Sequence, residues 1–428
     1  MIPAVLQWEL TEHCPYRCLH CYLLSAAIPQ RTADLSDDEM FRIAEHIVRN
    51  RIFFVTFTGG EPLTRRRLVI ELSKYLANHG TILSLNTCLA PLTDEVLSEL
   101  RVDHYLISCP SSTPEQYRHI TGGGNYDRFE TNLRQVVSTG VNHTVNMVVS
   151  QLNRDDVRAT AIRMAELGVR RFAATPVSLN ARAPQFELPL SLAETRQVLS
   201  DLVWAHETLG LDVDVMEALP RRVIPQRAFD LRLPFVFRAC NAGKRNGTIA
   251  VNGDVRPCGH NPRVYGNVLN ESLGSIWERM QDWRSAVGNT HRSCLACDVA
   301  TSGGCPIDAA VREAGALEEL MISSEPVLTL APPPDLYPTT IVRPSRKYLE
   351  RPDGDGWLVT SGRSRDILHI NQALRDFIVA TRTAAPMSLN RLAEQFCTTT
   401  DDAEFHRVMT MLVPRNFFII SLNNSLVL

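Results

Sequence analysis

The sequence predicts an α/β fold with parallel strands over its first 184 residues, and three observations carry the prediction. Apolar strand-like runs recur at VLQWEL, IFFVTFT, TILSLNT, HYLISCP, VNMVVS and RFAATPV. Each run is followed by polar or helical sequence, and regular strand–helix alternation implies parallel strands joined by right-handed crossovers. The composition, 44% apolar and 21% charged over 428 residues, is that of a globular chain long enough for two or three domains.

Beyond the alternating part, residues 185–236 read as a helical bridge containing SLAETRQVLSDLVWAHETLG. Residues 237–310 form a small cysteine-rich α+β segment. In it the Asn252-Gly253-Asp254 turn between two apolar alternations signals a hairpin, with Cys240 before it and Cys258 after it. The stretch 311–340 contains SSEPVLTLAPPPDLYP, a proline-rich connector that cannot be a helix interior or a central strand. Within 341–428 the order is strand, Asp-Gly-Asp-Gly turn, strand, helices over HINQALRDFIVATR, SLNRLAEQF and DAEFHRVMTMLVPRN, and a closing strand pair in FFIISLNNSLVL. A β-ribbon with three helices is a winged-helix-like pattern.

Charge and targeting exclude some functions. With 44 Lys+Arg against 47 Asp+Glu, the net charge of -3 gives no general attraction to nucleic acid, and RLAEQFCTTTDDAEFHR is not a basic recognition helix. No stretch approaches the ~20 apolar residues that span a bilayer, and the start lacks a secretory core. The expectation is a cytoplasmic protein with neither nucleic-acid nor membrane partner.

Eleven cysteines in a reducing compartment point to metal rather than disulfides. Cys14, Cys18 and Cys21 form a C-x3-C-x2-C run. Three such thiolates can hold three irons of a four-iron four-sulfur cubane and leave the fourth open to a small molecule. Zinc is the alternative, with His13 or His20 completing its four closed ligands.

The run ELTEHCPYRCLHCYL resembles the signature of the radical S-adenosylmethionine (radical SAM) superfamily, and FFVTFTGGEPLTR resembles its strand followed by Gly-Gly-Glu-Pro. The resemblance implies a partial, TIM-like (β/α)6 barrel, α/β in class, with the site at the C-terminal strand ends. It implies S-adenosylmethionine chelated at the open iron of a 4Fe-4S cluster, and a 5'-deoxyadenosyl radical as the reactive species. His20 stands where the family usually has an aromatic and, with Tyr22, is placed against the cofactor. Gly59 and Gly60 let the backbone approach, Glu61 can accept from the cofactor's ammonium group, and Pro62 completes the motif. Ser108, Asn146 and Thr175 are placed at strand ends as cofactor-binding, or as ordinary strand-end polar residues. Cys88, where the family shows Thr-Asn-Gly, and Cys109 are candidate hydrogen-atom donors, or small core residues.

The later cysteines, with G-x-V-x-P-C, Y-G-N-V and S-I-W pieces, resemble the SPASM and twitch extensions of radical SAM enzymes. Thr301 stands near where full SPASM has a further cysteine, so one auxiliary 4Fe-4S cluster is expected. Its preferred ligands are Cys240, Cys258, Cys294 and Cys297, with Cys305 as substitute and zinc as the alternative metal. Residues 341–428 resemble the precursor-peptide recognition element of pyrroloquinoline quinone maturation, marked by WLVT, ILHIN and the tandem helices. Such a domain takes a leader peptide as an added strand.

Together these imply a maturase acting on a ribosomally made precursor peptide, with oxidative side-chain cross-linking as the expected outcome and flavodoxin or ferredoxin as electron donor. Epimerisation, backbone excision and decarboxylation are alternatives. A redox-sensing binding protein is the alternative of another class, and a small-molecule radical enzyme would leave residues 341–428 idle.

Overall fold

The computed structural model describes residues 2–23, 34–179, 187–287, 304–308, 336–345, 347–361, 367–396, 398–413 and 415–421. The chain divides into two compact units, one spanning Ile2–Leu330 and the other containing Ala331–Leu428.

All six strands expected in the first unit are present: β1 Val5–Glu9, β2 Phe54–Thr58, β3 Ile82–Thr87, β4 His104–Ser108, β5 His143–Val149 and β6 Arg171–Pro176. They pair in parallel in chain order, with helices in the crossovers. One such helix is α1, Asp37–Arg49, which starts at a reciprocal Ser36–Glu39 capping box. The stretch expected to be a helical bridge does hold a long helix, Leu192–Leu209, but it also contributes β7, Asp212–Asp214, parallel to β6. Three residues of Asp-Val-Asp are too short to show a strand period.

The cysteine-rich segment is not a detached module. Its hairpin strands β8, Asn246–Ile249, and β9, Asp254–Arg256, pair antiparallel as the Asn-Gly-Asp turn predicts. In addition β8 pairs in parallel with β1, and β10, Gly266–Asn267, follows β9. One ten-stranded sheet therefore runs from the auxiliary hairpin through the barrel strands to β7.

Register explains where chemistry can occur. Trp8, Phe57, Leu85, Ile107, Val145 and Phe172 are fully buried on the helix-covered face, with Trp8 and Phe57 meeting edge to face at 6.0 Å. The opposite face carries Glu9 beside Thr58, Asn86 beside Leu106, and Ser108 beside Asn146. A parallel strand covered on both sides is ordinarily apolar throughout. Polar residues that recur along this face, Glu9, Thr58, Asn86, Ser108, Asn146 and Thr175 among them, mark it as a site lining.

The C-terminal unit has its own core, including Val342, Val359, Leu392, Met409, Leu412 and Phe418. Among the described residues it contains two antiparallel three-stranded sheets. In one, β11 Ile341–Pro344 lies between β15 Met387–Ser388 and β16 Phe418–Ser421. In the other, β13 Gly356–Thr360 lies between β12 Leu349–Asp353 and β14 Leu368–Ile370. The expected helices are Gln372–Thr381, Leu389–Gln395 and Ala403–Leu412. His369 and Ile370 belong to β14 rather than to the helix, which starts at the Asn371 cap.

Candidate functional site

The Cys14–Cys21 loop leaves the C-terminal end of β1 and is fastened by backbone bonds to two neighbours. Gly60 N–H donates to Thr11 O and Glu61 N–H to His13 O, both at 2.7 Å, while Arg17 N–H and Leu19 N–H each reach the Ile120–Thr121 carbonyls at 2.9 Å. A Cβ on Gly60 would lie 2.2 Å from His13 O, and one on Gly59, at φ +126°, would lie 2.5 Å from Thr11 O. The two glycines thus let the Gly-Gly-Glu-Pro loop touch the cysteine loop.

Glu61 is 1% exposed. Its carboxylate accepts from Leu63 N–H at 3.1 Å, Thr87 Oγ1 at 2.9 Å and Cys88 N–H at 2.7 Å. Burial raises its pKa against the opposing Cys88 bond. This carboxylate therefore ties the loop to the end of β3 with internal partners. Pro62 is buried and starts the short turn Pro62–Arg65.

The Cys88 thiol hydrogen-bonds the Cys14 sulfur, which lowers the Cys14 pKa; that bond, burial and the nearby Glu61 hold Cys88 well above the ordinary thiol range. Burial pushes Cys18 to about 12. Iron would deprotonate these thiols on binding. Cys109, by contrast, is fully buried in the hydrophobic core with its sulfur donating to Ser111 O at 3.4 Å. That placement gives it no access to a substrate radical.

Thr175 Oγ1 donates to Asn146 Oδ1 at 2.7 Å and accepts from Met216 N–H, while Ser108 is exposed at the end of β4. Enclosed polar atoms that find no partner among the described residues include His20 Nδ1 in the cysteine loop and Asn86 Oδ1 on β3. Burial lowers His20 to about 4, so its ring is neutral. Asn86, whose Nδ2 donates to Thr58 Oγ1 at 3.4 Å, was not singled out by the motif; the polar alternation of ILSLNT is the signal that marks it. Three clustered thiols and two orphaned polar atoms fit an iron-sulfur cluster with a polar small molecule beside it.

Tyr22 does not point to that side alone. Its ring meets His260 edge to face at 5.1 Å, its hydroxyl bonds Thr58, and burial, then Glu9, raises its pKa. Beside it Arg256 donates to Glu9 Oε1 at 2.6 Å and to Gly259 O at 3.1 Å, with the two side chains 3% and 2% exposed. A buried ion pair between residues 247 positions apart thus joins the first cysteine loop's strand to the Cys258 loop. Sequence reading missed it for that separation.

At the second group, Cys240, Cys258 and Cys305 all have thiols raised by burial, Cys258 to about 12, and each senses Glu217; Cys305 also senses Cys240 and Cys258. Glu217, His260 and Cys305 bring one ligand atom each to within 4.8 Å of one another. Cys305, the substitute in the sequence reading, thus lies near enough to Cys240 and Cys258 to sense both. Cys294, Cys297 and Thr301 lie outside the described residues.

Residues 8–164 match the Radical SAM superfamily, and residues 240–298 match the SPASM iron-sulfur cluster-binding domain. The chain belongs to the radical SAM superfamily. As a radical SAM protein with a SPASM domain it binds S-adenosylmethionine and a 4Fe-4S cluster in the first part and iron-sulfur in the second, which sets zinc aside.

Among its relatives, the AdoMet-dependent heme synthase of Methanosarcina barkeri is 24% identical over 66% of this chain and 84% of its own. Mycofactocin maturase MftC of Mycolicibacterium smegmatis is 26% identical over 71% and 78%. The PqqA peptide cyclase of a Methylobacterium species is 25% identical over 77% and 87%. Among solved structures, Streptococcus suis SuiB bound to precursor peptide SuiA has a TM-score of 0.59 at 16% identity, covering 77% of this chain and 76% of that one. That likeness shows the shared barrel fold. Among the described residues no helix is long and apolar enough to cross a membrane.

Proposed function

We propose that this radical SAM protein modifies a ribosomally made precursor peptide by hydrogen abstraction, with oxidative cross-linking of side chains as the outcome. The observation that carries the reading is the C-terminal unit. The names of the relatives span heme and peptide chemistry, and a small-molecule enzyme has no use for a second unit with its own core and, among the described residues, four sheet-edge strands, β12, β14, β15 and β16. An extended leader added to such an edge satisfies its unpaired backbone groups.

Cys14, Cys18 and Cys21 hold the first cluster, and Cys240, Cys258 and Cys305 the auxiliary one. When bound, S-adenosylmethionine and reduced iron-sulfur supply a carbon-centred radical able to remove hydrogen from unactivated carbon. The chain's own contribution is placement. The glycines bring the Gly-Gly-Glu-Pro backbone onto the cysteine loop, His20 and Asn86 offer polar atoms to the cofactor, and the Asn146–Thr175 pair lines the polar face. A low-potential donor of the flavodoxin or ferredoxin type would supply the electron for cofactor cleavage, and the auxiliary cluster, held by the second cysteine group, would offer an acceptor for the electron left after ring closure or a relay for electrons.

Removing residues 331–428 should leave the barrel folded and slow cofactor cleavage intact, because the two units have separate cores. Peptide modification should fall sharply, and the separate C-terminal unit added back should restore little of it, because tethering supplies effective concentration. Mass spectrometry of the peptide reads the result, and undiminished turnover by the truncated chain refutes the leader-binding role.

Epimerisation is the second reading, because Cys88 lies at the first cluster loop and a thiol there could refill a peptide radical. Turnover in heavy water separates the two. Cross-linking gives a product about two mass units lighter with no α-carbon deuterium and survives Cys88→Ala, since the radical ends by oxidation. A product about one unit heavier that Cys88→Ala abolishes would overturn cross-linking in favour of epimerisation.

A further inference from the structure

Among the described residues Cys240, Cys258 and Cys305 provide three thiolates, one short of the four ligands of a closed cubane. Two further donors converge on the same point. Glu217 follows β7, His260 lies two residues beyond Cys258, and their ligand atoms stand within 4.8 Å of the Cys305 sulfur and of each other. The convergence is built in. Gly304, at φ +73°, packs so closely on the Glu217–Pro220 turn that a Cβ would sit 2.8 Å from Pro220 Cδ, and Asp308 accepts from Leu179 N–H at 2.8 Å just beyond β6. His260 is clamped by the edge of Tyr22 on one side, while Cys258 accepts from the backbone N–H groups of Asn261 and His260.

A carboxylate facing three thiolates is repulsive in a site of low dielectric unless a donor stands between. The His260 ring is within reach to be that donor. Iron accepts imidazole nitrogen, and a metal-bound histidine characteristically gives its other ring N–H to a carboxylate.

We propose that His260 is the fourth protein ligand of the auxiliary cluster, with Glu217 accepting the hydrogen bond of its second ring nitrogen. The inference rests on the assignment of Cys240, Cys258 and Cys305 to that cluster. Replacing a thiolate by a neutral imidazole makes the cluster one charge less negative and raises its reduction potential, as histidine ligation does in other iron-sulfur centres. A higher potential suits an acceptor for the electron released on ring closure.

The test uses full-length chain with Cys14, Cys18 and Cys21 changed to Ala, so that only the auxiliary cluster gives a signal, reconstituted anaerobically and reduced chemically. Pulsed electron paramagnetic resonance on protein grown with 15N-histidine should show a directly coupled nitrogen. The coupling should vanish in His260→Ala. His260→Cys should keep about four irons and show a lower potential, and Glu217→Gln should keep the nitrogen coupling while shifting the potential. A cluster of about four irons without nitrogen coupling, or a coupling that persists in His260→Ala, overturns the proposal. If Cys305→Ala retains the iron and the unaltered spectrum, the thiolate assignment itself is wrong and the inference falls with it.

Discussion

Changing Cys14, Cys18 and Cys21 together to Ala is expected to remove about half of about eight irons and to abolish reductive cleavage of S-adenosylmethionine. The chain should still fold. Its cysteine loop is held by backbone bonds from Gly60, Glu61, Arg17 and Leu19, and by Thr11 Oγ1 to Asp34 at 2.6 Å, none of which needs a thiol. The variant therefore isolates chemistry from structure. Iron assay, chromatography of 5'-deoxyadenosine and circular dichroism read the three quantities. Residual cleavage would mean that the ligand set is misassigned, and about twelve irons in the unaltered chain would mean a second auxiliary cluster.

The barrel was legible because its signal is local. Each of the six apolar runs became a strand, and the Asn252-Gly253-Asp254 turn became the β8–β9 hairpin. Contacts set by long-range packing were not legible. Nothing in VLQWEL announces that β1 takes β8 as a second parallel neighbour, and nothing in DVRPC announces that Arg256 will meet Glu9. The approach of Cys305 was not legible for the same reason: the tight Gly304 contact with Pro220 brings Cys305 to Glu217, across a separation in sequence that no local pattern marks. The departure from Thr-Asn-Gly already favours Cys88 over Cys109 as the hydrogen-atom donor. The Cys88 N–H bonds Glu61 while Cys109 is enclosed among core side chains, a difference of face rather than of composition.

The Arg256–Glu9 pair should give the largest stability effect of any single side chain at the junction between the two cysteine groups. Both side chains are almost wholly out of water, and the guanidinium divides its donors between Glu9 Oε1 at 2.6 Å and Gly259 O at 3.1 Å. Arg256→Leu removes a positive charge from beside a buried carboxylate, a loss that costs about 3–5 kcal/mol because the remaining charge keeps its desolvation penalty. Arg256→Lys should recover only part of it, since an ammonium lacks the fixed fork that spans both acceptors. Adding Glu9→Leu to Arg256→Leu should restore most of the stability, because a dry apolar pair of similar volume replaces the ion pair. It should not restore the bond to Gly259, so the double variant is expected to regain its unfolding midpoint in denaturant yet load less iron at the Cys258 loop. A midpoint shift in Arg256→Leu equivalent to less than about 1 kcal/mol would show that water reaches the pair, since that is the range of an exposed salt bridge.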